Sequence, residues 1–240
     1  MKLNRRNARN GFTLVEFMVI IVVMAFLVAM LLPAMHGYKS KSGNIKCTNN
    51  LKQVSLAFRQ WALDNNDKLL TEVSVTNGGA MEAVLAGDVA TIFRVMSNEL
   101  STPKILFCPE DKRRIQATSF SKVAPFGGAY SGVYFSNSSN ASYFVNLNSD
   151  FSTPQMFLLG DDHWLVGGKA NLDGVAIKGV PVNPGLLLLG TNTPVAWSHE
   201  RHRKQGNVGL ADGSVQVFSS RRLAEALRIS GAATNRLAFP

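Results

Sequence analysis

The sequence predicts an α+β protein, a long N-terminal helix followed by a globular head on an antiparallel sheet. Three observations carry that reading. Residues 12–35 form an almost unbroken apolar run. Cys47, Leu51, Val54, Phe58 and Trp61 recur at intervals of four and three, the spacing of one helical face. Asp212-Gly213 stands between alternating Val208, Leu210 and Val215, Val217, the signature of a β-hairpin.

The apolar run comes first. Its 24 residues, Phe12 to Met35, make about 36 Å of helix at about 1.5 Å per residue. A hydrocarbon core of about 30 Å needs about 20 residues, so the segment is long enough to span with some tilt. Glu16 is its single charge. A carboxylate at the bilayer centre costs about 3 kcal/mol on insertion scales, so it calls for a partner and a purpose. Lys2, Arg5, Arg6 and Arg9 precede the run without any acid, which holds that end in the cytoplasm and exports the rest. A plain uncleaved anchor is one alternative, and the other is a conventional secretory signal. Against it, the run is long for a signal core, contains Glu16, and has neither a small-x-small site nor a cysteine near its end.

Past the run the helix continues on the Cys47–Trp61 seam, with Lys41, Lys46, Lys52 and Arg59 off it, and Asp64-Asn65-Asn66-Asp67 is a polar stop. One helix from Leu14 to about Asp64 is therefore expected, half in membrane and half under a sheet. Cys108, after Lys104-Ile105-Leu106-Phe107, closes an expected short strand. Apolar runs at Ala141–Val145, Met156–Leu159 and Leu186–Leu189 read as strands, and Asn137-Ser138-Ser139-Asn140 and Gly167–Pro184 as loops. In the hairpin, a type I′ turn would place both Asp212 and Gly213 at positive φ. A last helix, about Ser220 to Ile229, sets Leu223, Ala226 and Leu227 on one side.

Composition fits an exported head. The 240 residues are 46% hydrophobic with a formal net charge of +9, and removing the four leader charges leaves +5. Much of the remainder clusters at Arg201, Arg203, Lys204, Arg221 and Arg222. No nucleic-acid motif or aromatic interleaving accompanies the cluster, so it reads as a solvated basic face rather than a binding site. About 200 residues outside the membrane suffice for one domain with its own core. The two cysteines, Cys47 and Cys108, favour a disulfide in an exported domain. It would close about 62 residues and stabilise by about 4 kcal/mol in the chain-entropy model. Two separate buried thiols are the alternative.

Gly11-Phe12-Thr13-Leu14-Val15-Glu16 resembles the cleavage and methylation motif of type IV pilins and type II secretion pseudopilins. The resemblance implies that a prepilin peptidase cuts after Gly11 and methylates the new amine of Phe12. Glu16 and Pro33 then fall where that family carries Glu and Pro. Glu16 would pair with the Phe12 ammonium of a neighbouring subunit, neutralising both charges inside an apolar filament core. Pro33 removes one helical hydrogen bond and would loosen the helix where it leaves the membrane. The architecture implied is pilin-like: a basic leader at 1–11, a transmembrane helix at 12–35, its amphipathic continuation at 36–65, and a periplasmic α+β head at 66–240.

Cys47-Thr48-Asn49-Asn50-Leu51-Lys52-Gln53-Val54, Cys108-Pro109, and the His-x9-Asp-Gly spacing of His202, Asp212 and Gly213 are similar to blocks of a pseudopilin-like subfamily. Asp161, Asp162, His163 and His199 could converge with His202 and Asp212, as a metal site or an acid/base pair would require. The spacing fits no zinc motif, no nucleophile elbow is present, and Asp212 is already explained by the turn. For His199 and His202, three residues apart, a solvent-facing position before the hairpin is the plain alternative. A structural role for His202, Asp212 and Gly213 is therefore the expectation, and no catalytic residue, metal or cofactor is assigned. No acid-rich loop resembles the calcium loop of major pseudopilins.

The functional expectation is a structural subunit, not an enzyme, of a type II secretion or related type IV pilus filament. The alternative is a membrane-tethered periplasmic enzyme or ligand-binding protein that uses the leader for export. The implied location is the bacterial inner membrane, single-pass, with a cytoplasmic N-terminus and a periplasmic head. The implied partners are other pilin-like subunits, the prepilin peptidase, an inner-membrane platform, a cytoplasmic ATPase and the membrane, with no nucleic acid.

Overall fold

The structure is a computed structural model and describes residues 12–34, 38–122, 132–230 and 232–240. The expected leader, with Gly11, lies outside the described residues. The chain divides into two compact units, Met1–Ser42 and Gly43–Pro240.

In the first unit, α1 covers Leu14–Ala34. It is apolar on every side, and all its described side chains, as far as Met30, are exposed. A helix of that kind needs lipid or other chains around it. Among the described residues no helix is long and apolar enough to cross a membrane. The stretch 14–30 makes about 26 Å of helix, short of the about 30 Å required. The expected span, 12–35, extends past that point.

α2 covers Tyr38–Asp64, so the expected single helix is described as two segments; residues 35–37 lie outside the described residues. From Gly43 onward α2 belongs to the second unit. Cys47, Leu51, Val54, Phe58 and Trp61 are all buried on it, while Lys46, Lys52 and Arg59 stay exposed. The seam thus forms one side of a core. α2 stops at the expected polar run. Asn66 and Asp67 both take φ of 59°, and the Asp67 amide closes on the carbonyl of Ala62 at 2.8 Å, a left-handed C-terminal cap.

Three short helices follow, α3 Met81–Leu85, α4 Val89–Val95 and α5 Ser97–Leu100. Asp88 caps α4 by accepting the Thr91 amide at 3.2 Å. The strand expected before Cys108 is absent. Pro103–Leu106 is a 3-10 turn capped by the Thr102 side chain, because Pro103 fixes a helical φ and gives up an amide no ladder could use. The expected loop at 137–140 contains one 3-10 turn, Ser138–Asn140.

Among the described residues, eleven strands complete the second unit. They are β1 Tyr143–Asn146, β2 Phe157–Asp161, β3 Trp164–Val166, β4 Lys169–Ala170, β5 Ala176–Ile177, β6 Val180–Pro181, β7 Gly185–Gly190, β8 Val195–Trp197, β9 Gln205–Leu210, β10 Val215–Ser219 and β11 Thr234–Phe239. The stretch 167–184, expected as loop, therefore carries three two-residue strands between its glycines. The main sheet has six strands in the order β10-β9-β2-β1-β11-β7; β6-β3-β8 and β4-β5 form smaller sheets. All strand pairs are antiparallel.

Alternation along the strands gives the main sheet two buried faces. Tyr143 and Val145 join the core under α2. Phe144, Val208, Leu210 and Leu237 join a second core with Trp164, Trp197 and α6, Ser220–Arg228. Ser219 caps α6 by accepting the Arg222 amide. The buried face of α6 is Leu223, Ala224 and Leu227, with Ala226, expected there, only partly buried. The hairpin forms, with a different turn. Leu210 accepts the Gly213 amide at 2.9 Å, and Gly213 alone in the turn has positive φ, at 86°. This is a three-residue loop closed by a left-handed glycine.

On the Trp197 side of the sheet, backbone passes close to a side chain. A Cβ on Gly206 in β9 would lie 2.3 Å from the Trp197 ring, and that indole is buried and cannot swing away. Gly206→Ala should therefore destabilise the chain by about 1–3 kcal/mol. Denaturant unfolding in detergent, followed by tryptophan fluorescence, checks this.

Candidate functional site

Two places in the chain concentrate chemistry. The first is the entry to α1. Thr13 directly precedes the helix, and its amide and hydroxyl both donate to Glu16 Oε2, at 2.8 and 2.7 Å. The Glu16 amide returns a bond to the Thr13 hydroxyl at 3.3 Å. This reciprocal arrangement is a capping box. It offers the carboxylate an intrachain partner before any other chain is met. The expectation for Glu16 names only an intermolecular partner, whereas the Thr-x-x-Glu spacing also signals this cap. Phe12 stands exposed just before it. Pro33 lies in the last turn of α1.

The second is a buried polar cluster where α2, the Cys108 segment and β9 meet. Cys47 on α2 and Cys108 form a disulfide, with Cα atoms 5.2 Å apart and both residues fully buried. His202 Nε2 lies 3.3 Å from Cys108 Sγ and 3.5 Å from Asp161 Oδ2. The other ring nitrogen lies 3.1 Å from Glu110 Oε2, which also accepts the His202 amide at 3.0 Å. Asp161 Oδ2 in turn accepts both the amide and the side-chain Nδ2 of Asn207, at 2.7 and 2.9 Å. Asn207 Oδ1 takes the Thr48 hydroxyl from α2 at 2.9 Å. The network thus ties β9, β2 and α2 together.

Beside it sits an arginine–carboxylate knot. Buried Arg201 pairs with Asp111, 3.0 Å from Nη1, and with Asp162. Asp162 also receives Arg113 at 3.2 Å and Arg114 at 2.7 Å. The expected solvated basic face includes Arg201, which is buried instead, because carboxylates distant in sequence fold back to pair with it. His202 is buried too, so the solvent-facing alternative does not hold for it.

His202, Arg203 and Lys204 adopt φ of 50°, 55° and 64° in succession. Each such residue costs about 1–2 kcal/mol, and the double grip of Glu110 on His202 holds the turn. Asp212 does different work at the far end of β9. Its Oδ1 accepts the Ser214 amide at 2.8 Å, shaping the turn that Gly213 completes. His202 and Asp212 therefore do not converge. Of the other candidates, Asp161, Asp162 and His163 join the buried cluster and His199 stays exposed. The rings of His163 and His202 are 5.9 Å apart. His163 Nε2 donates to the Gln205 carbonyl at 3.0 Å. Burial holds the His163 pKa below the ordinary imidazole range, against the opposing charge of Asp161. A surface hollow of about 570 Å³ lies elsewhere, between α6, Phe218 of β10 and the segment 152–156, lined by Met156, Phe218, Arg222 and Ile229.

Residues 6–32 match the family model for the prokaryotic N-terminal methylation motif. The chain is similar to type II secretion system core protein G of Klebsiella michiganensis, 35% identical over 68 residues, 28% of this chain and 48% of that protein. It is similar to the protein of the same name from Pectobacterium carotovorum, 34% identical over 64 residues, 27% of this chain and 41% of that one. The type IV major alpha-pilin of Moraxella bovis is 34% identical over 71 residues, 30% of this chain and 45% of that pilin. The chain spans less than half the length of these relatives. No solved structure matches. The chain carries the prokaryotic N-terminal methylation motif at residues 6–32.

Removing the charge of buried Arg201 leaves Asp111 and Asp162 short of a partner. Arg201→Met should cost about 3–5 kcal/mol, whereas Arg203→Met, on the exposed side of the turn, should stay within about 0.5 kcal/mol; paired thermal melts check the contrast. The depressed His163 pKa also has a sign. Unfolded His163 takes up its proton near about pH 6.5, and the folded residue does so only lower. Below about pH 6.5 the unfolded chain binds more protons, so stability falls as pH drops and flattens below the folded value. His163→Gln should decline less steeply between about pH 6.5 and 5, read from unfolding midpoints.

Proposed function

We propose that the chain is a pseudopilin-like structural subunit of a type II secretion or related type IV pilus filament. One observation carries it: the methylation-motif match at residues 6–32 encloses Gly11, Phe12 and Glu16, the residues that processing and assembly require. The similarity to core protein G and to a major pilin supports it. In this reading a prepilin peptidase cuts after Gly11 and methylates Phe12, and residues 12–35 span the inner membrane with the head in the periplasm.

Assembly then exchanges one partner for another. In the isolated subunit Glu16 is satisfied by Thr13, which lowers the cost of waiting in lipid. In a filament its carboxylate meets the Phe12 ammonium of a neighbour, an ion pair worth more than two neutral donors where water is excluded. Neighbouring subunits cover the all-round apolar surface of α1. Pro33, which cannot donate a helical hydrogen bond, eases the bending that such packing asks for. An inner-membrane platform and a cytoplasmic ATPase are the implied machinery. Cys47–Cys108 and the buried cluster keep the head fixed to α2, and His202, Asp212 and Gly213 fix the β9–β10 hairpin.

Glu16→Ala tests the proposal in cells holding the complete filament machinery. The variant should insert and be processed like wild type but fail to enter sheared filaments or to crosslink between copies from position 16. Unchanged assembly would overturn the subunit reading and favour a tethered head that uses the leader only for export.

A further inference from the structure

Cys47 Sγ, Cys108 Sγ and one nitrogen of His202 all lie within 4.8 Å of one another, and all three residues are buried. The disulfide accounts for the two sulfurs in the oxidised chain. It does not account for the imidazole aimed at Cys108 from 3.3 Å, nor for what surrounds that ring. Its other nitrogen is buried without a hydrogen bond, 3.1 Å from Glu110 Oε2, so a small turn of the ring would make the carboxylate–imidazole bond that orients metal-bound histidines. Asp161 Oδ1 is buried without a hydrogen-bond partner, on the carboxylate that lies 3.5 Å from His202 Nε2.

We infer that reduction of the Cys47–Cys108 bond opens a buried site for a soft divalent cation, zinc above all, held by Cys47, Cys108 and His202, with Asp161 at the fourth position. Two thiolates and an imidazole are the donor set zinc prefers, in tetrahedral geometry. Zinc distances of about 2.3 Å to sulfur and about 2.0 Å to nitrogen place ligand atoms about 3.3–3.8 Å apart. Atoms already within 4.8 Å of each other reach that spacing with small side-chain shifts once the sulfurs are free to part. The chemistry balances. A dithiol supplies two electrons and two protons and becomes a disulfide, the Cys47–Cys108 bond breaks to two thiols, and zinc displaces both thiol protons. Bound zinc then replaces the crosslink, holding α2 to the Cys108 segment and β9 in the reduced chain. In this arrangement His202 serves the same junction in both redox states.

The test uses the full chain in detergent, oxidised or reduced anaerobically with a phosphine, which takes up oxygen from water as the two thiols form. Each sample is mixed with zinc chloride, desalted and analysed for metal and free thiol. The reduced chain should retain close to one zinc and the oxidised chain none. Zinc should raise the melting temperature of the reduced chain only. Co2+ in place of zinc should give intense tetrahedral absorption with a thiolate charge-transfer band. His202→Gln should weaken retention at least tenfold and alter the Co2+ spectrum, and Asp161→Asn should weaken it less. Failure of the reduced wild-type chain to hold zinc overturns the site. So does a reduced chain that stays unfolded with zinc, or His202→Gln binding as tightly as wild type. None of these outcomes depends on filament assembly.

Discussion

The disulfide between Cys47 and Cys108 is the constraint on which the second unit depends. It joins a helix face to Cys108, 61 residues later and two past the 3-10 turn, and the segment between supplies α3, α4 and α5. A crosslink closing a loop of that size contributes about 4 kcal/mol in the chain-entropy model. That is a large share of the about 5–15 kcal/mol that separates a typical folded domain from its unfolded chain. Around the bond, the Thr48–Asn207 contact and the packing of Leu51, Val54 and Phe58 keep α2 in register with the sheet. A pull transmitted along α2 therefore meets a covalent bond and a packed face together.

β9 is the second fixed point. Its base is anchored by His202 through Glu110 and Asp161, and its tip is turned by Asp212 and Gly213. Its middle meets α2 on one side and the tryptophan core on the other. The nine-residue spacing between His202 and Asp212 is thus the length of one strand with its anchor and its turn, rather than the separation of two groups sharing a reaction. The neighbouring arginine knot is costly to desolvate and contributes little net stability when complete. We read it as fixing which carboxylate meets which strand, and mispairing there leaves a buried charge bare.

Local signals in the sequence were legible because their physics is local. Cys47 to Trp61 repeat at helical spacing, and each buried residue follows from that period. The alternation around Asp212-Gly213 marked the hairpin, though the single left-handed glycine, and not two positive-φ residues, depends on register with β10. Thr13 and Glu16 held a readable cap that membrane reasoning overshadowed. What stayed hidden was long-range. Nothing near Arg201 or His202 announces burial; their partners Asp162, Asp111 and Glu110 lie 39 to 92 positions away. The short strands within 167–184 were hidden for the same reason. β6 is held by β3, while β4 and β5 pair with each other, and no local pattern announces either pairing.

The N-terminal segment and the head share a simple logic. An apolar helix with one carboxylate is costly alone, tolerable when Thr13 caps it, and stable once neighbours surround it. Intact mass of the chain purified from membranes with an active prepilin peptidase tests the filament reading most directly. A mature chain that begins at Phe12 and carries one added methyl group is the result expected. A chain still bearing residues 1–11, or one cut beyond the apolar run near residue 36, contradicts it.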